Sequence, residues 1–189
     1  MATSFPFTRL VRFIPKSDPT CVHIGQPVQD DVDVGTALRD GHEDLVKVFS
    51  GSSILSPGKS TGLIEAIVRV LSPVAEGEIG TIRCIGLNKY KQHAAEVKMS
   101  IPSIPTVFLK PSNALGDPWP SRCTLRRITQ IEDCGDYEAE LAIVLGRSAK
   151  NVSESDALDY VLGYTAANDI SSRISQMARS QWCFSKGFD

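Results

Sequence analysis

Apolar residues in this chain fall mostly into short runs, punctuated by glycine, proline and serine, which predicts strands more often than long helices. Phe7 to Ile14 reads as an opening strand ended by Pro15, and Val22-His23-Ile24-Gly25 as a second short strand. Ala37 to Asp40 and Asp44 to Phe49 follow, before Ser50-Gly51-Ser52-Ser53 breaks the pattern. Ile64 to Leu71 is apolar and β-branched, and periodicity does not separate strand from short helix there. Residues 1–75 are therefore expected to form a small strand-rich N-terminal section, with a turn-rich boundary from Pro73 to Gly80.

Beyond that boundary, Thr81 to Gly86 has the pattern of a buried strand, and Lys91 to Lys98 reads as one or two helical turns. Ile101-Pro102-Ser103-Ile104-Pro105 excludes helix, because each proline lacks an amide hydrogen and restrains its predecessor. Val107 to Lys110 predicts a strand and Pro111 to Pro120 a loop. Asp136 to Leu145 is the strongest strand signal, and its continuously apolar second half suggests cover on both faces. Ser153 is placed to cap a helix, with Asp156 three residues on. Leu158, Val161 and Leu162 then share an apolar face and Gly163 ends the helix. Tyr164 to Ile170 is a further strand running into polar residues, and Trp182 to Asp189 reads as a chain stopping inside ordered structure. The class is α+β and β-rich.

Composition narrows the function. Of the 189 residues 42% are hydrophobic and 22% charged, enough for a real core and too few charges for disorder. A net charge of −2 offers no positive field for nucleic acid or an anionic membrane, and no apolar stretch is long enough to span a bilayer. Met1 to Lys16 carries Arg9, Arg12 and Lys16 without an acid, which permits a mitochondrial presequence; the opening strand is the preferred reading, and a cytoplasmic location is expected. The five cysteines are scattered without a C-x-x-C, against a disulfide framework or structural zinc, although Cys123 and Cys134 are spaced to meet across a hairpin. Pro57-Gly58-Lys59-Ser60-Thr61 lacks the earlier glycine of a phosphate loop, since Ser53 holds that place, and reads as a surface turn. There is no G-x-S-x-G, H-E-x-x-H or G-x-G-x-x-G.

The remaining chemistry is carboxylate-rich. Glu138 and Glu140 are two apart on an expected strand, so period-two geometry points both to one face. Their repulsion is relieved by a divalent cation, and hard oxygen ligands favour magnesium, calcium or manganese. A glutamate ladder on a solvated face is the alternative, weakened by the apolar run that follows. Asp169, ending an apolar strand, is the natural third ligand, or else a cap for the segment after it. His93 and Glu96 are three apart on an expected helix, a spacing that suits a carboxylate-oriented general base as well as a surface ion pair. Arg173, Gln176 and Lys186 can supply positive charge and donors to an anionic substrate, and taken singly each also fits a surface position.

Together these segments resemble the catalytic domain of the fumarylacetoacetate hydrolase family. The resemblance is carried, in order, by Ile85-Gly86-Leu87-Asn88 with Tyr90, His93-Ala94-Ala95-Glu96, Phe108-Leu109-Lys110-Pro111 and Tyr137-Glu138-Ala139-Glu140-Leu141. It continues through Asp156 to Val161, Gly163-Tyr164-Thr165, Asn168-Asp169-Ile170-Ser171 with Arg173 and Gln176, and Lys186 to Asp189. It covers residues 80–189, and residues 1–75 resemble the family's variable N-terminal section more loosely.

The resemblance implies a mixed β-roll, usually dimeric, with magnesium or manganese at Glu138, Glu140 and Asp169, His93 and Glu96 as the acid/base pair, and Lys186 near the substrate. It implies hydrolysis of a carbon–carbon bond in acylpyruvate-type substrates, small 2-oxo acids or 1,3-dicarbonyls. The alternatives are oxaloacetate tautomerase, decarboxylase or isomerase activity, and an inactive partner subunit. Three positions depart from the family pattern: Lys89 is inserted between Asn88 and Tyr90, Ile174 replaces an acid after Arg173, and Gly187 replaces a serine after Lys186. The family pattern also continues beyond Asp189, so an incomplete roll is expected.

Overall fold

The computed structural model describes residues 7–86, 103–130, 135–178 and 180–188. They fall into two compact units. The first takes the described part of Met1–Ala75 with Gly116–Arg122 and Ala139–Ala167; the second takes Glu76–Leu115, Cys123–Glu138 and Asn168–Asp189 where described. The stretch from residue 80 onward therefore contributes to both.

In the first unit, β1 (Val11–Pro15), β2 (His23–Pro27), β3 (Leu45–Phe49) and β4 (Ser60–Leu71) close an antiparallel barrel. Gly25 pairs with both Val11 and Val48, and Phe13 with Val70, so β1 joins β4 and no edge remains. This closure decides the ambiguous Ile64–Leu71 run in favour of strand. Phe13, Val34, Val46, Val48 and Ile67 form the core, with Val11, Leu38 and Val70 packed on it. Gly25 is required by close approach, because a Cβ there would lie 2.3 Å from the Lys47 carbonyl oxygen. The short α1 (Val34–Arg39) starts at Asp33, whose carboxylate accepts the Thr36 amide at 2.8 Å.

The opening strand begins later than its apolar pattern suggests. Arg9 is instead spent on loop carbonyls, donating to Asp30 O at 2.7 Å and Val32 O at 2.8 Å. The strand does end at Pro15, its last residue, where the register shifts after Ile14, a place that tolerates a missing amide hydrogen. Residues 57–59 belong to the β3–β4 connection, as expected of a turn, whereas Ser60 and Thr61 already open β4. Gly51 N donates to Pro57 O, Ser50 N to Lys59 O, and Gly58 sits at φ +76°.

The long strand expected from Asp136 to Leu145 is divided. β7 (Gly135–Asp136) stops at Tyr137, and β8 (Ala139–Leu145) starts after Glu138. Local polar bonds interrupt it: Tyr137 N donates to Asp136 Oδ1, and Glu138 N to the Asn168 side chain. β8 pairs with β9 (Val161–Asn168) in a two-stranded sheet, and Leu141 is 68% exposed, so cover on both faces is not found. The predicted helix after Ser153 is a 3-10 segment, Glu154–Tyr160, with Leu158 exposed. Val161, Leu162 and Gly163 lie in β9 rather than closing a helix. Ser153 spends its hydroxyl on the Asp156 carboxylate at 2.7 Å and makes no backbone cap.

In the second unit, β5 (Thr81–Gly86) pairs antiparallel with β6 (Thr106–Pro111). Ile85, Val107 and Leu109 remain exposed, so β5 alternates rather than being buried throughout. β7 pairs with β10 (Ser171–Ser172), and α2 (Arg173–Ala178) follows directly. The helical turns expected over Lys91–Lys98 lie outside the described residues. Cys21, Cys84 and Cys183 are free thiols, and Cys134 is outside the described set. Among the described residues no helix is long and apolar enough to cross a membrane.

Candidate functional site

The interior of the second unit is polar. Lys110, Thr129, Ser171, Ser172, Ser185 and Lys186 are all buried, with Phe188 beside them in the sequence end. The backbone brings them inward by specific bonds. Ser172 N donates to Ser185 O at 2.7 Å, tying β10 to the turn that carries Lys186. That turn is tight: a Cβ at Gly187 would lie 2.5 Å from Cys183 O, which accounts for glycine at a position where a serine was expected. Trp182 packs its ring where a side chain on Gly86 would stand, and meets Phe108 edge-on at 5.4 Å between centroids.

Lys186, only 2% exposed, is the hub. Its Nζ donates to Glu138 Oε2 at 2.8 Å, Asp169 Oδ2 at 3.0 Å and Ser171 Oγ at 2.7 Å. All three ammonium hydrogens are thereby matched, the condition under which a buried charge is tolerated. The Phe108 ring lies 5.4 Å from the same nitrogen. Lys110 donates to the other Asp169 oxygen at 2.7 Å. Arg173 donates from Nε to Asp136 Oδ2 at 2.7 Å, and from Nη1 to Glu138 Oε1 and to Gln176 Oε1. Three cations thus face three carboxylates, Asp136, Glu138 and Asp169.

The electrostatics follow from this balance. Burial pushes the Glu138 carboxyl up, but hydrogen bonds and charge from Lys186 and Arg173 outweigh it, and the group sits below its ordinary range. Asp136 is also held low, first by the Arg173 hydrogen bond and then by the Tyr137 amide. Burial works against the Arg173 charge, yet Asp136 and Glu138 hold its proton more tightly than usual. The Cys84 thiol is pushed up to about 11 by burial and then by the Asp169 charge, so it stays protonated.

Of the residues singled out from sequence, Glu138, Asp169, Lys186, Arg173 and Gln176 come together here. Glu140 stands half-buried on β8 and belongs to the first unit. Glu138 precedes β8 rather than lying on it, and like Glu140 it is half-buried while Tyr137, Ala139 and Leu141 are exposed. His93 and Glu96 lie outside the described residues. Four participants had been given no role: Asp136, Lys110, Asn168 and Ser171. Lys110, Asn168 and Ser171 stand in the segments that carry the family resemblance, which was the available signal.

The chemistry of the donors fits a hard divalent cation. Glu138 and Asp169 present carboxylate oxygens within 3.0 Å of one buried cationic point, the Lys186 nitrogen. Among the described residues no group of three or more His, Cys, Asp or Glu side chains is gathered as for a metal ion.

The profile described as "Fumarylacetoacetate (FAA) hydrolase C-terminal" matches residues 81–189. Caffeoylpyruvate hydrolase of Neonothopanus nambi is 44% identical over 189 residues, covering 98% of this chain and 64% of that protein. The mitochondrial oxaloacetate tautomerase fahd2 of Xenopus laevis is 34% identical over 195 residues, covering 96% of this chain and 58% of its own length. The crystal structure of 2-hydroxyhepta-2,4-diene-1,7-dioate isomerase from Mycobacterium marinum superposes with a TM-score of 0.67 at 27% identity, over 96% of this chain and 61% of that one. The chain thus spans less than two thirds of the length of each of these relatives.

Proposed function

Because this chain belongs to the fumarylacetoacetate hydrolase family, we propose that it serves an enzyme that hydrolyses a carbon–carbon bond in small acylpyruvate-type 2-oxo acids. The observation that carries the reading is the buried Lys186 node with Glu138, Asp169 and Arg173 around it. It is a concentration of fixed charge inside the family-matched segment that no packing need explains. The mixed β-roll and a homodimer are part of the same proposal.

Glu138 and Asp169 would hold magnesium or manganese, which would supply Lewis acidity to the oxygens of the oxo acid when bound. Lys186 holds Glu138 and Asp169 in register, and its buried ammonium favours negative charge gathering beside it. Arg173, whose side chain keeps about a third of its exposure, receives the substrate carboxylate with Gln176 at its flank. His93 is assigned the proton taken from water, with Glu96 as its acidic partner in the family resemblance. The hydroxide adds to the distal carbonyl, the carbon–carbon bond breaks, and the pyruvate carbon takes up a proton. Phe108 and Trp182 form an apolar wall in the second unit that keeps bulk water from its charges.

The test is product analysis with acetylpyruvate and magnesium. Equal release of acetate and pyruvate, lost in Glu138→Ala, supports the hydrolase. The Xenopus relative favours a second reading, tautomerisation of oxaloacetate, in which a proton moves between carbon and oxygen without water attack. Enol-to-keto conversion of oxaloacetate with no acetate from acetylpyruvate would replace the first reading with the second. Absence of both would remove the enzymatic reading of this chain.

A further inference from the structure

Asp136 sits in the two-residue ladder β7, with Ser171 of β10 as its pairing partner. Its two carboxylate oxygens are used differently. Oδ1 accepts the amide of the next residue, Tyr137, at 2.9 Å. That local bond fixes the carboxylate plane without help from any other side chain. Oδ2 is left aimed at Arg173, and accepts its Nε at 2.7 Å. Because Arg173 follows β10 directly, the β7–β10 pairing brings the backbones of Asp136 and Arg173 close enough for their side chains to meet.

A guanidinium is planar, so fixing Nε and one Nη fixes the direction of the whole fork. With Nε on Asp136 and Nη1 on Glu138 and Gln176, the Arg173 plane has no rotational freedom left. Glu138 alone would hold Arg173 by a single nitrogen, about which the fork could swivel. Ile174, the next residue, has no polar side-chain atom with which to do this work. The Asp136–Arg173 pair is itself half-exposed, with side chains 43% and 32% accessible, so it adds little to folding stability. Its worth lies in direction.

We propose that Asp136 is a positioning residue that locks the Arg173 guanidinium in the orientation that receives the carboxylate of an oxo-acid substrate. This rests on the anion-receiving role given to Arg173 above, and the experiment separates the two. Binding of sodium oxalate in the presence of magnesium is measured by calorimetry for the full chain and for Asp136→Ala, Asp136→Asn, Arg173→Ala and the Asp136→Ala/Arg173→Ala double variant. Thermal midpoints are recorded alongside.

Asparagine retains an oxygen that can accept from Nε, whereas alanine does not. Asp136→Ala is expected to weaken oxalate roughly tenfold while its unfolding midpoint stays close to the parent's. Asp136→Asn is expected to recover affinity to within about threefold. The double variant should bind no more weakly than Arg173→Ala, since the aspartate acts only through the arginine. With acetylpyruvate, the Asp136→Ala loss should fall on KM more than on kcat. Parent-like oxalate binding in Asp136→Ala, beside weakened binding in Arg173→Ala, would overturn the positioning role alone. An Asn variant as impaired as the Ala variant, or additive losses in the double variant, would overturn it as well. Undiminished binding in Arg173→Ala would remove the anion-receiving role itself, and the inference with it.

Discussion

The two units bury opposite kinds of residue. The barrel of the first closes around Phe13, Val34, Val46, Val48 and Ile67, an interior held by area removed from water. The second buries two lysines, three serines and a threonine, an interior that is tolerable only because each charge meets its partner. Side chains of the first kind adjust to their neighbours by volume, and those of the second by direction. A unit of the second kind spends stability on fixed charge, which is what a site for anionic chemistry needs and a scaffold does not.

The strongest way to break this contrast is Lys186→Met. Removing the ammonium leaves Glu138 and Asp169 without their shared cation and should cost about 3–5 kcal/mol of stability. Activity on an oxo acid should fall at least about a hundredfold even in the fraction that folds. Denaturant unfolding with single-turnover assays on the folded fraction would check both. A stable, active variant would mean that the polar interior is not the site.

Phe13→Ala should cost a similar or slightly smaller amount, about 3–4 kcal/mol, because the ring is fully buried in the barrel. Its signature differs: the urea midpoint falls, while oxalate affinity below the transition is retained. Loss of oxalate affinity in folded Phe13→Ala would erase the division of labour between the units.

The pH response sharpens the comparison, because the signs are opposite. Asp44 is buried in the first unit with Oδ2 lacking a hydrogen-bond partner among the described residues, and burial raises its pKa against the opposing charges of Arg9 and His42. The native state therefore binds that proton more tightly than the unfolded chain. The penalty is full above the raised native value and vanishes below the unfolded value of about 3.9. Asp44→Asn should stabilise the protein by about 1 kcal/mol near neutrality, with the advantage shrinking as pH falls through that window. Glu138 and Asp136 in the second unit are held low, so their contribution is present above their unfolded values and lost as pH falls through the native ones. Urea midpoints against pH for parent and variant would show it, and a gap that widens on acidification would contradict the assignment.

The smallest expected effect is that of Ser153→Ala, below about 0.5 kcal/mol, since the hydroxyl bonds a neighbouring carboxylate and satisfies no helix amide. A loss above about 1 kcal/mol by thermal melting would show that the sequence-based cap reading was the better one.

Legibility followed the range of the interactions. The β2, β3, β5 and β6 strands stood out because alternation and turn residues are local signals, and Thr81–Gly86 was delimited correctly. The break at Tyr137 and Glu138 was not legible, because an apolar run hides a backbone amide that prefers the Asp136 side chain or Asn168. Asp169, Lys186, Arg173 and Glu138 were named as candidates from residue type, spacing and family resemblance, but their pairing was not. Asp136 and Lys110 passed as ordinary strand residues, because neither strand pattern nor, for Lys110, family resemblance names partners 37 and 59 positions away.

By itself the sequence determined the β-rich class, the family and the residue types able to do carboxylate chemistry, because these depend on composition, period and motif order. Only the tertiary structure decided that Lys186 is a buried hub rather than a surface charge, and that Arg173 is steered by Asp136. It also decided that Ile64 to Leu71 is strand, by closing a barrel around it. The reason is common to all three: each outcome turns on a partner remote in the chain, and a charge or a half-apolar run has no fixed role until folding sets what lies beside it.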